Sequence, residues 1–397
     1  MDRILNKFKV LRVIPSMNPK QGGPCQGIRN SIGALKNDEN LHEVVCLDAE
    51  DEVYGIRDDF TIYKLGRRKG PWQYHKALYP WLLNNLTSYD VVIIHGLWTY
   101  HSYAVYKAIK KLSREGNSLP KVFVMPHGML DPYFQKSKER RLKAIRNEVY
   151  WGLIERKVVN NATGLLFTCE QELLLARQAF KQYRPRNEYN VGYGVQPPPP
   201  FATEMTRALR DKLPNWNGEP YLLFLSRIHQ KKGVDLLIKA YNQLSKKTTG
   251  IPKLIIAGPG MDSTYGKELE YLTQGNEQII FPGMLNGAAK WGAFYHAAAF
   301  VLPSHQENFG IAVAEAMACK KPVLISDKVN IWREIVEHHG GIANTDTLEG
   351  TLKTLKEWFA KTAEEQQQMG MAAFESYGTH FTIAKAAQNL MNTILNA

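Results

Sequence analysis

Glu307 and Glu315, with seven residues between them, lie in Pro303-Ser-His-Gln-Glu-Asn-Phe-Gly-Ile-Ala-Val-Ala-Glu-Ala-Met-Ala, directly after the apolar run 298–302. The order reads as strand, polar loop, helix. A helix starting near Gly310 turns the unpaired N–H groups of its first turn toward the loop, where they bind phosphate or polarised sugar oxygens. Gly310 lets a ligand approach the backbone closely. Were the segment wholly helical, the two carboxylates would stand roughly 12 Å apart at ~1.5 Å per residue, too far for the paired acids of a retaining hydrolase. Each more naturally accepts hydrogen bonds from hydroxyls at a different end of an elongated ligand.

A second group, Ser226-Arg-Ile-His-Gln-Lys-Lys-Gly233, again follows a strand-like run. Arg227 and Lys232 project from the loop that leads into the next helix, where cations can neutralise a leaving diphosphate. Taken alone, such a segment is equally a solvated basic loop. Gly22-Gly23 after the first apolar run reads either as a backbone cradle for phosphate or as a tight turn. His127, in Met125-Pro-His-Gly-Met, follows another strand-like run, and a lone histidine in that place is commonly structural.

The elements that must position these residues alternate. Short apolar, β-branched runs at 10–14, 43–47, 60–65, 90–95, 121–125 and 164–168 are separated by helix-like stretches, as in a buried parallel sheet. The run 189–195 leads into four consecutive prolines, Pro197 to Pro200, which read as an interdomain linker. A second series follows at 221–225, 253–257, 278–281, 298–303 and 322–326, then a helical tail over 347–397. The expected fold is α/β, with two Rossmann-like doubly wound domains facing across a cleft. The first spans 1–196 and the second 197–377, with a final helix at about 378–397 packing back on the first. With 397 residues, 44% hydrophobic and 22% charged, the composition excludes disordered, fibrous and small disulfide-rich classes. Cys25, Cys46, Cys169 and Cys319 are too scattered for a zinc cluster and suit a reducing compartment. No run reaches the roughly 20 apolar residues of a spanning helix, and the start of the chain lacks a signal core, so a cytoplasmic location is expected.

Five motifs in order, strand-Ser-Arg-x4-Lys-Gly233, Ile-Ala-Gly258-Pro-Gly260, Phe281-Pro-Gly-Met-Leu285, Pro-Ser-x2-Glu307-x7-Glu315 and Pro322-Val, together resemble glycosyltransferase family 4 (glycosyl transferases group 1), retaining enzymes of GT-B fold. The resemblance implies a glycosyltransferase that takes a hexose-type sugar from a UDP- or GDP-linked donor to a carbohydrate or lipid-linked acceptor, in polysaccharide or glycolipid synthesis. It implies a catalytic set of His127, Arg227, Lys232 and Glu307, with His127 facing donor sugar and acceptor. Donor binding falls to Gly22, Gly23, Gly258, Leu285, Asn308, Phe309, Gly310, Ile311 and Glu315. Of these, Glu315 would take the ribose, Leu285 the base, and the 309–311 backbone the sugar. No cofactor beyond the nucleotide sugar is expected and metal is dispensable, because two cations and a helix N-terminus already compensate the diphosphate and no Asp-x-Asp follows a strand run; Asp58-Asp59 reads as a surface turn. Two positions depart from the family pattern: Cys319-Lys320-Lys321 stands where a small residue and Gly are usual, and Gly192-Tyr-Gly-Val195 where Pro-Asn-Gly-Val is usual.

The net charge of +12 suits polyphosphate, nucleic acid or an anionic surface. Over 135–158, Lys136, Lys138, Arg140, Arg141, Lys143, Arg146, Arg156 and Lys157 oppose only Glu139, Glu148 and Glu155. Leu142, Ile145, Val149, Leu153 and Ile154 recur there at helical spacing. Such a helix either lies on an anionic membrane or packs its stripe into the core. Two rival functions are a sugar-nucleotide epimerase of the same fold and a nucleic-acid-binding protein. For the latter, aromatics interleaved with basic residues on an exposed sheet are not evident, so no nucleic-acid partner is expected.

Overall fold

In the computed structural model, residues 8–35, 40–136, 141–248 and 250–397 are described. The chain divides into two units, one of residues 1–194 with 383–397, the other of 195–382. The breaks thus fall two residues before the expected linker and five after the expected start of the final helix.

The first unit holds a seven-stranded sheet: β1 (Lys9–Val13), β2 (Leu41–Cys46), β3 (Ile62–Lys64), β4 (Val91–His95), β5 (Lys121–Met125), β6 (Gly164–Phe167) and β7 (Glu188–Asn190). All neighbours pair in parallel, in the order β3-β2-β1-β4-β5-β6-β7. The unbroken apolar run of β4 is buried on both faces, as a central parallel strand requires. β7 stops short of the expected run to 195, and Val195 already belongs to the second unit, where its N–H donates to the Phe381 carbonyl (3.0 Å). The final helix, Ile383–Asn396, buries Ile383, Ala387, Leu390, Met391 and Ile394, one face at helical spacing. Leu390, Met391 and Ile394 close a core with Val10, Val91, Ile93 and Phe123. This burial attaches the last residues of the chain to the first sheet.

The second unit repeats the plan with β8 (Tyr221–Leu225), β9 (Lys253–Ala257), β10 (Ile279–Gly283), β11 (Ala297–Leu302), β12 (Val323–Ser326) and β13 (Gly341–Asn344), parallel in the order β10-β9-β8-β11-β12-β13. Strand order reverses between β1 and β4 in one sheet and between β8 and β11 in the other. Ligands of doubly wound sheets bind outside the carboxyl ends of the strands at such reversals. The loops after β8 and β11 carry the two motifs singled out above. The fold class, α/β with two Rossmann-like units, is as the sequence implies.

Candidate active site

In the second unit the two motif loops are locked together through their backbones. Gly233, at the left-handed φ of 67°, lies so close to the other loop that a Cβ there would sit 2.0 Å from the Pro303 carbonyl oxygen. His305 N–H (2.8 Å) and Ser304 Oγ (3.0 Å) both donate to the Lys231 carbonyl. His305 Nδ1 meets Asp346 Oδ2 at 2.9 Å, and that hydrogen bond raises the imidazole above its ordinary pKa. Gly258 has a similar packing duty, since a Cβ would fall 1.8 Å from the Ser226 carbonyl oxygen. Any side chain at either position would force the loops apart.

These clamps bring Lys232 and Glu307 into an ion pair. Lys232 sits in a short 3-10 turn (Gln230–Lys232) and is buried, 7% exposed. Glu307 is held by its own backbone, whose N–H donates to the Lys328 carbonyl (2.9 Å) and whose carbonyl accepts from Asn330 N–H (3.0 Å). Arg227 is exposed and makes no hydrogen bond or ion pair among the described residues. Just beyond, Gly310 (φ 78°) caps the helix Ile311–Ala318. Asn308 Oδ1 lies 3.4 Å from Asn330 Nδ2, and buried Phe309 packs edge-on to Phe381 at 5.6 Å. Ile311 is exposed at the first turn, where the N–H groups of Val313 (2.8 Å) and Ala314 (3.2 Å) already donate to the Gly310 carbonyl.

Glu315, on the second turn, does not join Glu307. Its Oε1 pairs with Lys290 Nζ at 2.6 Å. Burial pushes its pKa up, an effect Lys290 partly offsets. Lys290 belongs to the helix Gly287–His296, which begins just after buried Leu285. Sequence reasoning missed Lys290; its signal is its position one turn after the Leu285 motif. A single cation thus ties the ribose candidate to the base candidate's helix.

In the first unit, Gly22 (φ 95°) precedes the helix Gly23–Ala34. Only Gly22 needs glycine for its backbone, and a Cβ on either residue would meet nothing within 4 Å. His127 also holds a left-handed backbone, φ 53°. Its loop is fixed by buried Glu172, whose carboxylate accepts from Gly128 N–H, from Thr168 N–H (2.8 Å) and from Thr168 Oγ1 (2.6 Å). His127 Nε2 lies 3.0 Å from Nδ1 of His95, a residue not singled out in the sequence, and the carbonyl of His95 bonds to His101 Nε2 at 2.9 Å. Burial and the charge of Arg12 hold His127 down at about 4, burial holds His101 at about 4, and His95 lies well below the ordinary histidine range. These rings are therefore neutral at pH 7. Buried Glu155 accepts from Trp98 N–H (2.9 Å) and Ser102 Oγ (3.1 Å), fixing the loop after β4, and burial raises its carboxyl to about 7.

One sequence expectation needs correction, and one of two alternatives falls away. Asp59 is exposed in a bend, but Asp58 is not free on the surface: its side chain, 10% exposed, forms a two-pronged ion pair with Arg29 of the helix Gly23–Ala34, at 2.7 and 2.9 Å. The stripe Leu142, Ile145, Val149, Leu153 is not core: these residues are 85, 63, 55 and 63% exposed. The helix Arg141–Tyr150 buries Ala144 and Asn147 instead, and is anchored by Trp151, which stacks on Phe180 at 4.7 Å and donates from Nε1 to the Lys181 carbonyl (2.7 Å). Ile154 is half-buried. Lys138, Glu139, Arg140 and the side chain of Lys136 lie outside the described residues. Among the described residues no helix is long and apolar enough to cross a membrane.

Residues 205–375 match the family described as Glycosyl transferases group 1. The match lies within the second unit, where the motifs are. An uncharacterized glycosyltransferase of Methanocaldococcus jannaschii is 33% identical over 148 residues, which are 36% of this chain and 37% of that protein. The alpha-monoglucosyldiacylglycerol synthase of Streptococcus pneumoniae is 32% identical over 143 residues, 33% of this chain and 32% of the synthase. The chain thus aligns with about a third of the length of these relatives. Over 98% of the chain the structure resembles the whole of Anabaena HepE, solved in complex with UDP and glucose, with a TM-score of 0.71 and 16% identity. The shared architecture is GT-B.

Proposed function

We propose that the protein is a retaining glycosyltransferase that moves a hexose-type sugar from a UDP- or GDP-linked donor to a carbohydrate or lipid-linked acceptor, in cell-surface polysaccharide or glycolipid synthesis. The observation that carries this reading is the Lys232–Glu307 ion pair, its lysine buried, with exposed Arg227 five residues earlier in the same loop, at the reversal of the second sheet and next to a helix N-terminus. Lys232 and Arg227 bind the donor diphosphate and stabilise the charge that grows as it leaves, an interaction stronger in the transition state than before it. When phosphate takes over Lys232, Glu307 turns its carboxylate to the hexose hydroxyls, alongside the 309–311 backbone. Glu315 accepts from the ribose hydroxyls and Leu285 lies against the base. His127, a neutral ring, faces donor sugar and acceptor. The bond from anomeric carbon to diphosphate oxygen breaks, the acceptor oxygen bonds on the same face, and its proton passes to the departing diphosphate. With two cations and a helix end on the diphosphate, no metal is needed. The complexes of Anabaena HepE with UDP and with glucose support a UDP-linked donor.

The exposed stripe Leu142, Ile145, Val149, Leu153 with Arg141, Lys143, Arg146 and Lys157 around it favours a lipid-linked acceptor reached from an anionic membrane surface. The lipid-modifying activity in the name of the Streptococcus pneumoniae relative agrees with that choice.

Titration calorimetry with UDP and GDP tests the donor reading. One of them is expected to bind, and Glu315→Gln to weaken it by about 1.5–3 kcal/mol through loss of a charge-assisted hydrogen bond. Equal affinity in both proteins would remove Glu315 from the ribose.

A further inference from the structure

One face of the first sheet carries two separate apolar clusters, one around Val10, Ile93 and Phe123 under the final helix, the other around Ile14, Met17 and Ile28. On β1, between Val10 and Ile14, stands Arg12. It is 1% exposed and opposes Val44 and Ile93 in the neighbouring strands. Among the described residues its Nε and Nη2 have no hydrogen-bond partner. Nearby His42, buried and held at about 3 by burial and by Arg12, stays neutral and offers no counter-charge. A buried guanidinium left so is a costly arrangement, since its lost hydration is not repaid by a carboxylate.

Arg12 lines a cavity of about 40 Å³, together with Asn30, Ser31, His95, His127 and Tyr193; no lining residue is acidic. With about 10–15 Å³ needed per water, the space takes roughly three water-sized groups, enough for a carboxylate or a phosphate and too little for a sugar ring. Other donors border it. If His127 Nε2 donates to His95 Nδ1, His95 keeps its proton on Nε2, which has no partner among the described residues. Asn30 accepts from Gln26 with its Oδ1 (2.9 Å), which leaves its Nδ2 as a donor. A planar guanidinium fork with neutral N–H donors beside it suits the oxygens of an oxyanion.

We propose that this cavity is a binding site for an oxyanion of carboxylate or phosphate size, held by Arg12 with His95 and Asn30. The anion is either free or a charged substituent of an acceptor whose remainder stays outside the cavity. The proposal lies in the first unit and does not rest on the donor site of the second.

Thermal unfolding of the full chain tests it, with chloride replaced by phosphate, acetate or glucose 6-phosphate at constant ionic strength. Phosphate or acetate is expected to raise Tm saturably in the native protein. Arg12→Met, which replaces the unmatched charge by an apolar chain of similar length, is expected to unfold no earlier than the native protein and to lose the rise. Arg12→Gln is expected to weaken anion binding about tenfold or more. Half-saturation by glucose 6-phosphate well below that for phosphate assigns the anion to an acceptor, and the reverse order assigns it to a free ion. No saturable rise in the native protein, or an equal rise in both variants, overturns the proposal. The response to UDP, read in the same proteins, reports the other unit and is expected to be unchanged, so failure of the donor reading shows separately.

Discussion

Around the reversal of the second sheet, buried or half-buried charges come in pairs: Lys232 with Glu307, Lys290 with Glu315, His305 with Asp346. At Arg12 and in the loops after β4 and β5 of the first sheet they do not, although elsewhere in that unit Arg68 pairs with Asp48 and Arg29 with Asp58. Arg12 lacks a carboxylate among the described residues, His95, His101 and His127 are neutral rings, and Glu155 accepts only from neutral donors. At these places two sheets of the same parallel plan therefore present different electrostatics. A paired cation can exchange its carboxylate for a phosphate with little change in desolvation, which suits a site that binds and releases a charged leaving group. Neutral rings suit contact with an uncharged sugar, and the unmatched guanidinium awaits an anion.

The most direct way to break this contrast is Lys232→Ala. Turnover is expected to fall roughly 100- to 1000-fold, the scale for loss of a donor aimed at transition-state charge. Stability should fall by about 3–5 kcal/mol, because Glu307 is left uncompensated. Adding Glu307→Ala should recover stability in urea unfolding without recovering turnover. A double variant that regains turnover would make the pair structural.

The first unit should instead reveal itself by pH. His101 has a folded pKa of about 4 against an ordinary 6.5, so the unfolded chain takes the proton first. The stability this confers is present above pH 6.5 and lost as pH falls through 4, on the order of 3 kcal/mol for this one ring. Hydrogen exchange of β4 and β5 amides between pH 7 and pH 4.5 should show protection falling there sooner than in β8 and β11. In the second unit, where Asp346 raises His305, acid should bite later. Uniform loss across both units would erase the distinction.

Glu155 carries the opposite sign. Its folded pKa of about 7 exceeds the ordinary 4.5, so its contribution is full below pH 4.5 and lost as pH rises through 7. Glu155→Gln keeps an acceptor for Trp98 N–H and should stabilise by about 2–3 kcal/mol at pH 8 and by nothing at pH 4.5. A variant no more stable at pH 8 would mean that the carboxylate is better solvated than its burial implies. With both effects, the first unit should have the narrower range of stable pH.

The same contrast explains what could be read from the sequence. In the second unit the side chains proposed to act follow strands within short contiguous loops, so Arg227, Lys232, Glu307 and Glu315 stand out by type and spacing. Their glycines are legible as glycines but not in duty, since Gly233 and Gly258 prove to lock loops whose contact no linear spacing reports. Lys290 is hidden because its partner lies 25 residues away on another helix. In the first unit Arg12 and His95 sit inside strand runs, where a polar residue among apolar ones looks like noise until the sheet register places it on a buried face. On the helix Arg141–Tyr150, periodicity identifies an apolar stripe but not which way it points, and anchoring through Ala144, Asn147 and Trp151 turns it outward.

That outward stripe gives the smallest effect and the last separation of the two units. Five exposed or half-exposed basic residues, Arg141, Lys143, Arg146, Arg156 and Lys157, lie along or just after the exposed leucines and should bind anionic vesicles better than neutral ones. Each contributes about 1 kcal/mol at most. Screening should weaken the attraction as the Debye length falls from about 10 Å at 0.1 M salt to about 3 Å at 1 M. Replacing Arg141, Lys143 and Arg146 by Gln should release the protein from the vesicles while nucleotide affinity stays unchanged, because the residues proposed for base, ribose and diphosphate, Leu285, Glu315, Arg227 and Lys232, lie in the other unit. Leu142→Asn should lower the apolar part of the binding, a loss that low salt does not restore. Co-sedimentation with vesicles of anionic and of zwitterionic lipid reads both components. Equal sedimentation with the two lipids would remove the anionic surface as partner, and no sedimentation at low salt would leave the stripe to a soluble acceptor or a protein.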